Sequence, residues 1–147
     1  MKNLQKRLST IILLVKSSTA FADPAVKQAV IEELREISRI ANLQPLNRRR
    51  LLVVLHLARS LETSLRAVVD NNGIFVQPEK RGMGGYLTAL AAHTPPLVTQ
   101  SVRHNCIRDV TKLRNRIAHA AGGYPGNDGL VEATAQAAHA CLALILR

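Results

Sequence analysis

Apolar residues recur along this chain at three- and four-residue intervals, the spacing of an amphipathic helix rather than the alternation of a strand. Residues 3–16 place Leu4, Leu8, Ile11, Ile12 and Val15 along one face. Asp23-Pro24 is a cap followed by proline at a first helical position, and predicts a second helix over 24–41 with Val26, Val30, Leu34 and Ile37 inward. The longest pattern runs over 47–70, with Leu51, Val54, Leu55, Ala58, Leu61, Leu65, Val68 and Val69 on its apolar side, and Asn71-Asn72-Gly73 as its stop.

Ile74-Phe75-Val76 reads as a short extended piece too isolated to build a sheet. Lys80-Arg81-Gly82-Met83-Gly84-Gly85 fits neither a Walker loop nor a dinucleotide fingerprint, and reads as a flexible connector before a short helix over 86–92. A further helix is expected from about Pro96 to Ala120. After the loop Gly122–Gly129 comes a last, Ala-rich helix over 130–146. The whole is an all-α antiparallel helical bundle in a single domain, with no internal repeat.

Composition sharpens this. Ala and Leu dominate, aromatics are scarce and Trp is absent, which suits close helix packing. Cys106 and Cys141 sit inside apolar helical patterns and form neither a disulfide framework nor a CxxC site, so buried thiols are expected. No His, Cys or acidic cluster has metal-ligand spacing, so neither metal nor cofactor is expected.

The charge of +10 comes from 14 Arg and 6 Lys against 10 acids. Such a field attracts polyanions, and guanidinium matches phosphate in two-point contact. RNA, DNA or an acidic protein all satisfy it, as does simple solubility. Arg48–Arg50, at the wrong end of their helix for its dipole, form either a solvated basic edge or an anion patch.

At the N-terminus, Lys2, Lys6 and Arg7 precede Ile11–Val15, and Ala20-Phe21-Ala22 resembles a signal-peptidase site. The apolar run ends at Lys16 after 5 residues, below the roughly 7 to 15 of a secretory core. The expectation is therefore a cytoplasmic chain without a membrane span, rather than an exported one.

The candidate chemistry lies on the helix after Pro96. On a regular wheel, Cys106, Val110, Leu113 and Ile117 make an apolar stripe. Nearly opposite stand His104, Arg108, Lys112, Asn115 and His119, a row of cations, an amide and two imidazoles, with Asp109 off the row. Imidazole is the side chain suited to moving a proton near neutral pH, and His119 falls in the last turn before a glycine-rich loop. His56, His93 and His139 read as structural or surface histidines. In the earlier long helix, Glu62 falls within the apolar arc, where an acid needs a partner. Arg66, four residues on, and Arg114 are both candidates.

The stretch Arg114-Asn115-Arg116-Ile117-Ala118-His119 resembles the signature of the HEPN superfamily: an Arg, usually followed by a polar residue, then a His four to six residues on. The resemblance covers about residues 46–147 and leaves the helices over 3–16 and 24–41 as additions. It implies a helical bundle that dimerises, with the motifs of two copies meeting across a cleft. It also implies a metal-independent RNA endonuclease, of the kind found as toxins and defence effectors, with a possible antitoxin or regulatory partner. By that analogy His119 moves a proton at the ribose 2′-OH or the leaving oxygen, Arg114 stabilises phosphorane charge and Asn115 orients. His104, Arg108, Lys112 and Arg116 would contact substrate, with Glu62 in support. The chain departs from one subset of HEPN toxins, which carry Tyr two residues after the His; here that position is Ala121. On a regular helix Arg114 and His119 stand about 140° apart, so one copy would not bring them together without fraying or a partner. The alternative is a non-catalytic helical module, HEPN-like or similar to the mannitol operon repressor, that binds nucleic acid or a partner protein.

Overall fold

A computed structural model describes residues 3–147. Lys2, counted above with the basic start, lies outside the described residues. The elements are α1 (Leu4–Ser17), α2 (Pro24–Arg39), α3 (Leu46–Asn71), a 3-10 turn (Pro78–Lys80), α4 (Met83–Ala92), α5 (Gln100–Cys106), a π-helical segment (Ile107–Thr111), α6 (Lys112–Ala118) and α7 (Asp128–Ile145). α5, the π segment and α6 follow one another without a break and act as one rod. No strand occurs among the described residues. None of the helices is long and apolar enough to cross a membrane.

Side-chain bridges fix the directions. Gln5 meets Ser38, and Lys27 donates to the Ser18 carbonyl, so α1 and α2 are antiparallel. Arg49 donates to the Ala41 carbonyl while Glu33 meets His56 and Arg59, so α2 and α3 are antiparallel as well. Cys106 faces the Ala137 carbonyl and Asp109 faces Thr134, which sets the rod antiparallel to α7. α3 is the spine, packing against α2 and α7 and touching α4 and α6.

The apolar stripes bury as their spacing requires: Leu4, Leu8, Ile11 and Val15 from α1, Leu57, Leu61 and Leu65 from α3, and Cys106, Val110, Leu113 and Ile117 from the rod all join one core. The apolar run Ile11–Val15 is thus split, with Ile11 and Val15 in the core and Leu13 exposed. Cys106 and Cys141 are buried free thiols.

The structure departs from the sequence reading in three places. Residues 80–85 are not a flexible connector: α4 begins at Met83, so Gly84 and Gly85 lie in its first turn. A Cβ at Gly85 would fall 1.8 Å from the Lys80 carbonyl oxygen, so glycine lets the helix start lie directly on the preceding turn. The helix expected from Pro96 begins at Gln100, because the Thr99 hydroxyl accepts the Val102 N–H and caps it there. The rod is also not a regular helix, since Ile107–Thr111 has π geometry. Asp23 and Asn127 cap α2 and α7 in the same manner as Thr99.

Candidate nucleic-acid interface

Polar groups of the rod stand where the wheel puts them with respect to solvent. His104, Arg108, Lys112, Asn115 and His119 are all exposed, and so is Arg116, which lies outside that row. The π segment falls between Arg103-His104 and Lys112, however. A π turn carries one residue more than an α turn, so the spacing within this segment is not that of a regular wheel. α5 packs on α7, and α6 reaches α3.

Arg108 is engaged within its own segment. Its Nε and Nη2 each lie 2.8 Å from the two carboxylate oxygens of Asp109, and that contact raises the Arg108 pKa. Asp109, read as lying off the row, thus occupies one of the cations expected to meet substrate. The buried Thr134 hydroxyl lies 2.7 Å from the Asp109 carbonyl and 3.0 Å from that of Leu130, tying the π segment to α7.

Arg114 turns toward α3. Its Nη1 stands 3.9 Å from Glu62 Oε2, with both side chains about one quarter exposed. Glu62 Oε1 accepts the Met83 N–H at 3.0 Å. The acid on the apolar arc of α3 therefore serves two elements at once, the first turn of α4 and the guanidinium of α6, and Arg66 is not its ion-pair partner. Arg114 Nε is buried with no hydrogen-bond partner, as is the Thr111 hydroxyl one turn earlier. Unsatisfied donors this close together are uncommon in a folded chain.

His119 is the C-terminal cap of α6, with φ −104° and ψ 0°, and its N–H reaches the Asn115 carbonyl at 3.2 Å. Its imidazole is exposed and makes no hydrogen bond among the described residues. Arg114 and His119 do not touch: one faces Glu62 and the other faces solvent at the helix end. Five surface pockets of about 100 to 580 Å3 lie elsewhere, and none of these is lined by Arg114, Asn115 or His119.

Several of the other basic and imidazole groups have local partners. Arg49 donates to the Ala41 carbonyl at 2.7 Å and Arg50 pairs with Asp128 at 2.8 Å, so within Arg48–Arg50 two of the three cations tie elements together. His56 meets Glu33 at 2.8 Å, and His93 Nδ1 stands 3.0 Å from the Pro95 carbonyl. Among the described residues no group of three or more His, Cys, Asp or Glu side chains has the arrangement of a metal site. One contact had no signal in the sequence: Arg7 meets His139 across α1 and α7. The two are 132 positions apart and carry no mutual spacing to read. No protein-family model, curated protein or solved structure matches the chain.

Proposed function

We propose that the chain is a metal-independent RNA endonuclease of HEPN type, acting as a homodimer. The observation that carries this reading is the Glu62-braced Arg114 guanidinium on the same short helix as an exposed, uncommitted His119. Arg114 is about one quarter exposed and, at 3.9 Å, its Nη1 makes no hydrogen bond to Glu62, so its Nη groups have donor capacity that a phosphate oxygen would satisfy. His119 would take the proton of the ribose 2′-OH, whose oxygen attacks the adjacent phosphorus. The P–O5′ bond then breaks, and the proton held on the imidazolium of His119 passes to the leaving O5′, giving a 2′,3′-cyclic phosphate and a 5′-OH. DNA lacks the nucleophile. Asn115, Arg116 and Lys112, exposed on the same helix, would hold the strand, whereas His104 and Arg108, before and within the π segment, would contact it further along. The separation of Arg114 from His119 within one copy is the reason the reading includes a second copy, whose motif would complete the site. Action as a toxin or defence effector, under control of an antitoxin, belongs to the same proposal.

The test is cleavage of a mixed RNA pool in EDTA by wild type, His119→Ala and Arg114→Ala. Cleavage by wild type alone, with cyclic-phosphate ends, upholds the reading. A wild-type chain that binds RNA without cutting it sinks the catalytic part.

One observation favours a second reading, a non-catalytic module that binds RNA or a partner protein. Arg114 faces Glu62 while His119 faces solvent, and neither lines any of those five pockets, which an open binding surface tolerates and a single-copy active site does not. Growth arrest on induction that is relieved by His119→Ala separates the two, because a binding module has no need of that imidazole.

A further inference from the structure

Asn3 at the N-cap of α1, with Lys6, Arg7 and Thr10 in the helix, stand at the three- and four-residue spacing of one face. α7 brings His139 against that face, and the five side chains line a pocket of about 310 Å3. Every one of them offers a hydrogen-bond donor: amide, ammonium, guanidinium, hydroxyl and imidazole. The lining holds no carboxylate. The nearest acid along α7 is Glu132, seven residues from His139, about 10 Å away along the axis.

The Arg7–His139 contact decides what the pocket offers. Arg7 Nη1 lies 3.0 Å from His139 Nδ1 in a part-buried setting. A guanidinium only donates, so Nδ1 accepts and the ring is the neutral tautomer that carries its proton on Nε2. Burial, and after it the Arg7 charge, lower the His139 pKa, in agreement with a neutral ring. The imidazole thus anchors Arg7 without neutralising it and keeps one N–H to give.

The two cations of the pocket differ from the arginines that pair with acids. Arg35, Arg39, Arg50, Arg59, Arg81, Arg108 and Arg114 each face a carboxylate. No carboxylate of the described residues stands within ion-pair distance of Lys6 or Arg7, and Arg7 Nε is buried with no hydrogen-bond partner. Adjacent cations, one of them partly desolvated, are unfavourable until an anion joins them.

We infer that this pocket binds a phosphate group, with Arg7 and Lys6 supplying the charge and Thr10, Asn3 and His139 Nε2–H orienting its oxygens. The shared chemistry is a tetrahedral oxyanion, either free or terminal phosphate or the diester of an RNA backbone. The site is separate from the Arg114–His119 segment and stands whether or not that segment cleaves RNA.

The test is titration of the full chain with inorganic phosphate at neutral pH, following the His139 ring by NMR, assigned through His139→Gln. A saturable shift is expected. Lys6→Ala is at an exposed position, leaves the Arg7–His139 contact in place, and should weaken binding by about tenfold. Lys16→Ala, exposed on α1 outside the pocket, should leave it unchanged. No saturable shift at His139 overturns the inference. So does equal weakening by both lysine variants, since that would be the general attraction of a +10 chain. A dinucleoside monophosphate then serves as competitor: displacement of inorganic phosphate assigns the site to diesters, and no displacement assigns it to free or terminal phosphate. Either result upholds the site.

Discussion

The Glu62 carboxylate of α3 meets two other helices at once: one oxygen accepts the Met83 N–H of α4 at 3.0 Å, and the other faces Arg114 Nη1 of α6 at 3.9 Å. The two contacts separate by substitution. Glu62→Gln keeps an oxygen for the Met83 N–H and removes the charge opposite Arg114. It should cost no more than about 1 kcal/mol, the scale of a partly exposed ion pair. Glu62→Ala also strips the N–H of its partner and should cost about 1–3 kcal/mol. Denaturant melts give the stability ranking. If Arg114 acts on RNA, both variants should also cleave more slowly, and Glu62→Gln should do so while remaining folded.

Adjacent glycines of α4 give a paired prediction. A Cβ at Gly85 would meet the Lys80 carbonyl oxygen at 1.8 Å, whereas one at Gly84 would meet nothing within 4 Å. Gly85→Ala must push the Pro78–Lys80 turn off the helix and should destabilise by about 1–3 kcal/mol. Gly84→Ala only exchanges a poor helix former for the best one, and should stabilise by up to about 1 kcal/mol. Thermal melts of the two variants should therefore move in opposite directions.

Helix patterns were legible because each stripe has a core to enter. Leu4, Leu8, Ile11 and Val15, or Cys106, Val110, Leu113 and Ile117, are spaced for one face and are buried as one face. Features that depend on contact between distant segments were not legible. Gly85 looks like part of a flexible connector until Lys80 is seen beneath it. The π segment has no periodicity of its own; the buried Thr134 hydroxyl on α7 helps to hold it. Within the candidate site, the exposure of Asn115 and His119 follows from the wheel. The pairing of Arg108 with its neighbour Asp109, and of Glu62 with Arg114 rather than Arg66, is settled by side-chain directions that spacing leaves open.

Thr134 itself is open to test. Its hydroxyl is fully buried and lies between the Asp109 and Leu130 carbonyls. Thr134→Val keeps the shape and removes the donor, leaving the π segment short of one buried hydrogen bond at a cost of about 1–3 kcal/mol. Ser9→Ala removes a comparable hydroxyl-to-carbonyl bond on the exposed side of α1 and should stay within about 0.5 kcal/mol. Hydrogen exchange at 107–111 should quicken in Thr134→Val alone, and equal protection in both chains would dissociate the hydroxyl from the π geometry.

His139 sets a pH dependence whose sign follows from its direction of shift. Folded, its pKa lies below the ordinary 6.5 because burial and the Arg7 charge oppose protonation. Unfolded, the ring takes up its proton around that ordinary value. Between the two values the unfolded chain binds more protons, so stability rises with pH through this window. The contribution is fully present above about 6.5 and is lost as pH falls toward the folded value. Carboxylates act lower: Arg50 holds Asp128 below the ordinary carboxylate value of 3.8, and Arg35 holds Glu32 below the ordinary 4.5. Their contributions are present above those values and are lost only as pH falls beneath them. A profile of melting temperature against pH should therefore decline in two stages on acidification. His139→Gln should flatten the upper stage and leave the lower one in place; an unchanged upper stage would mean that another group carries it.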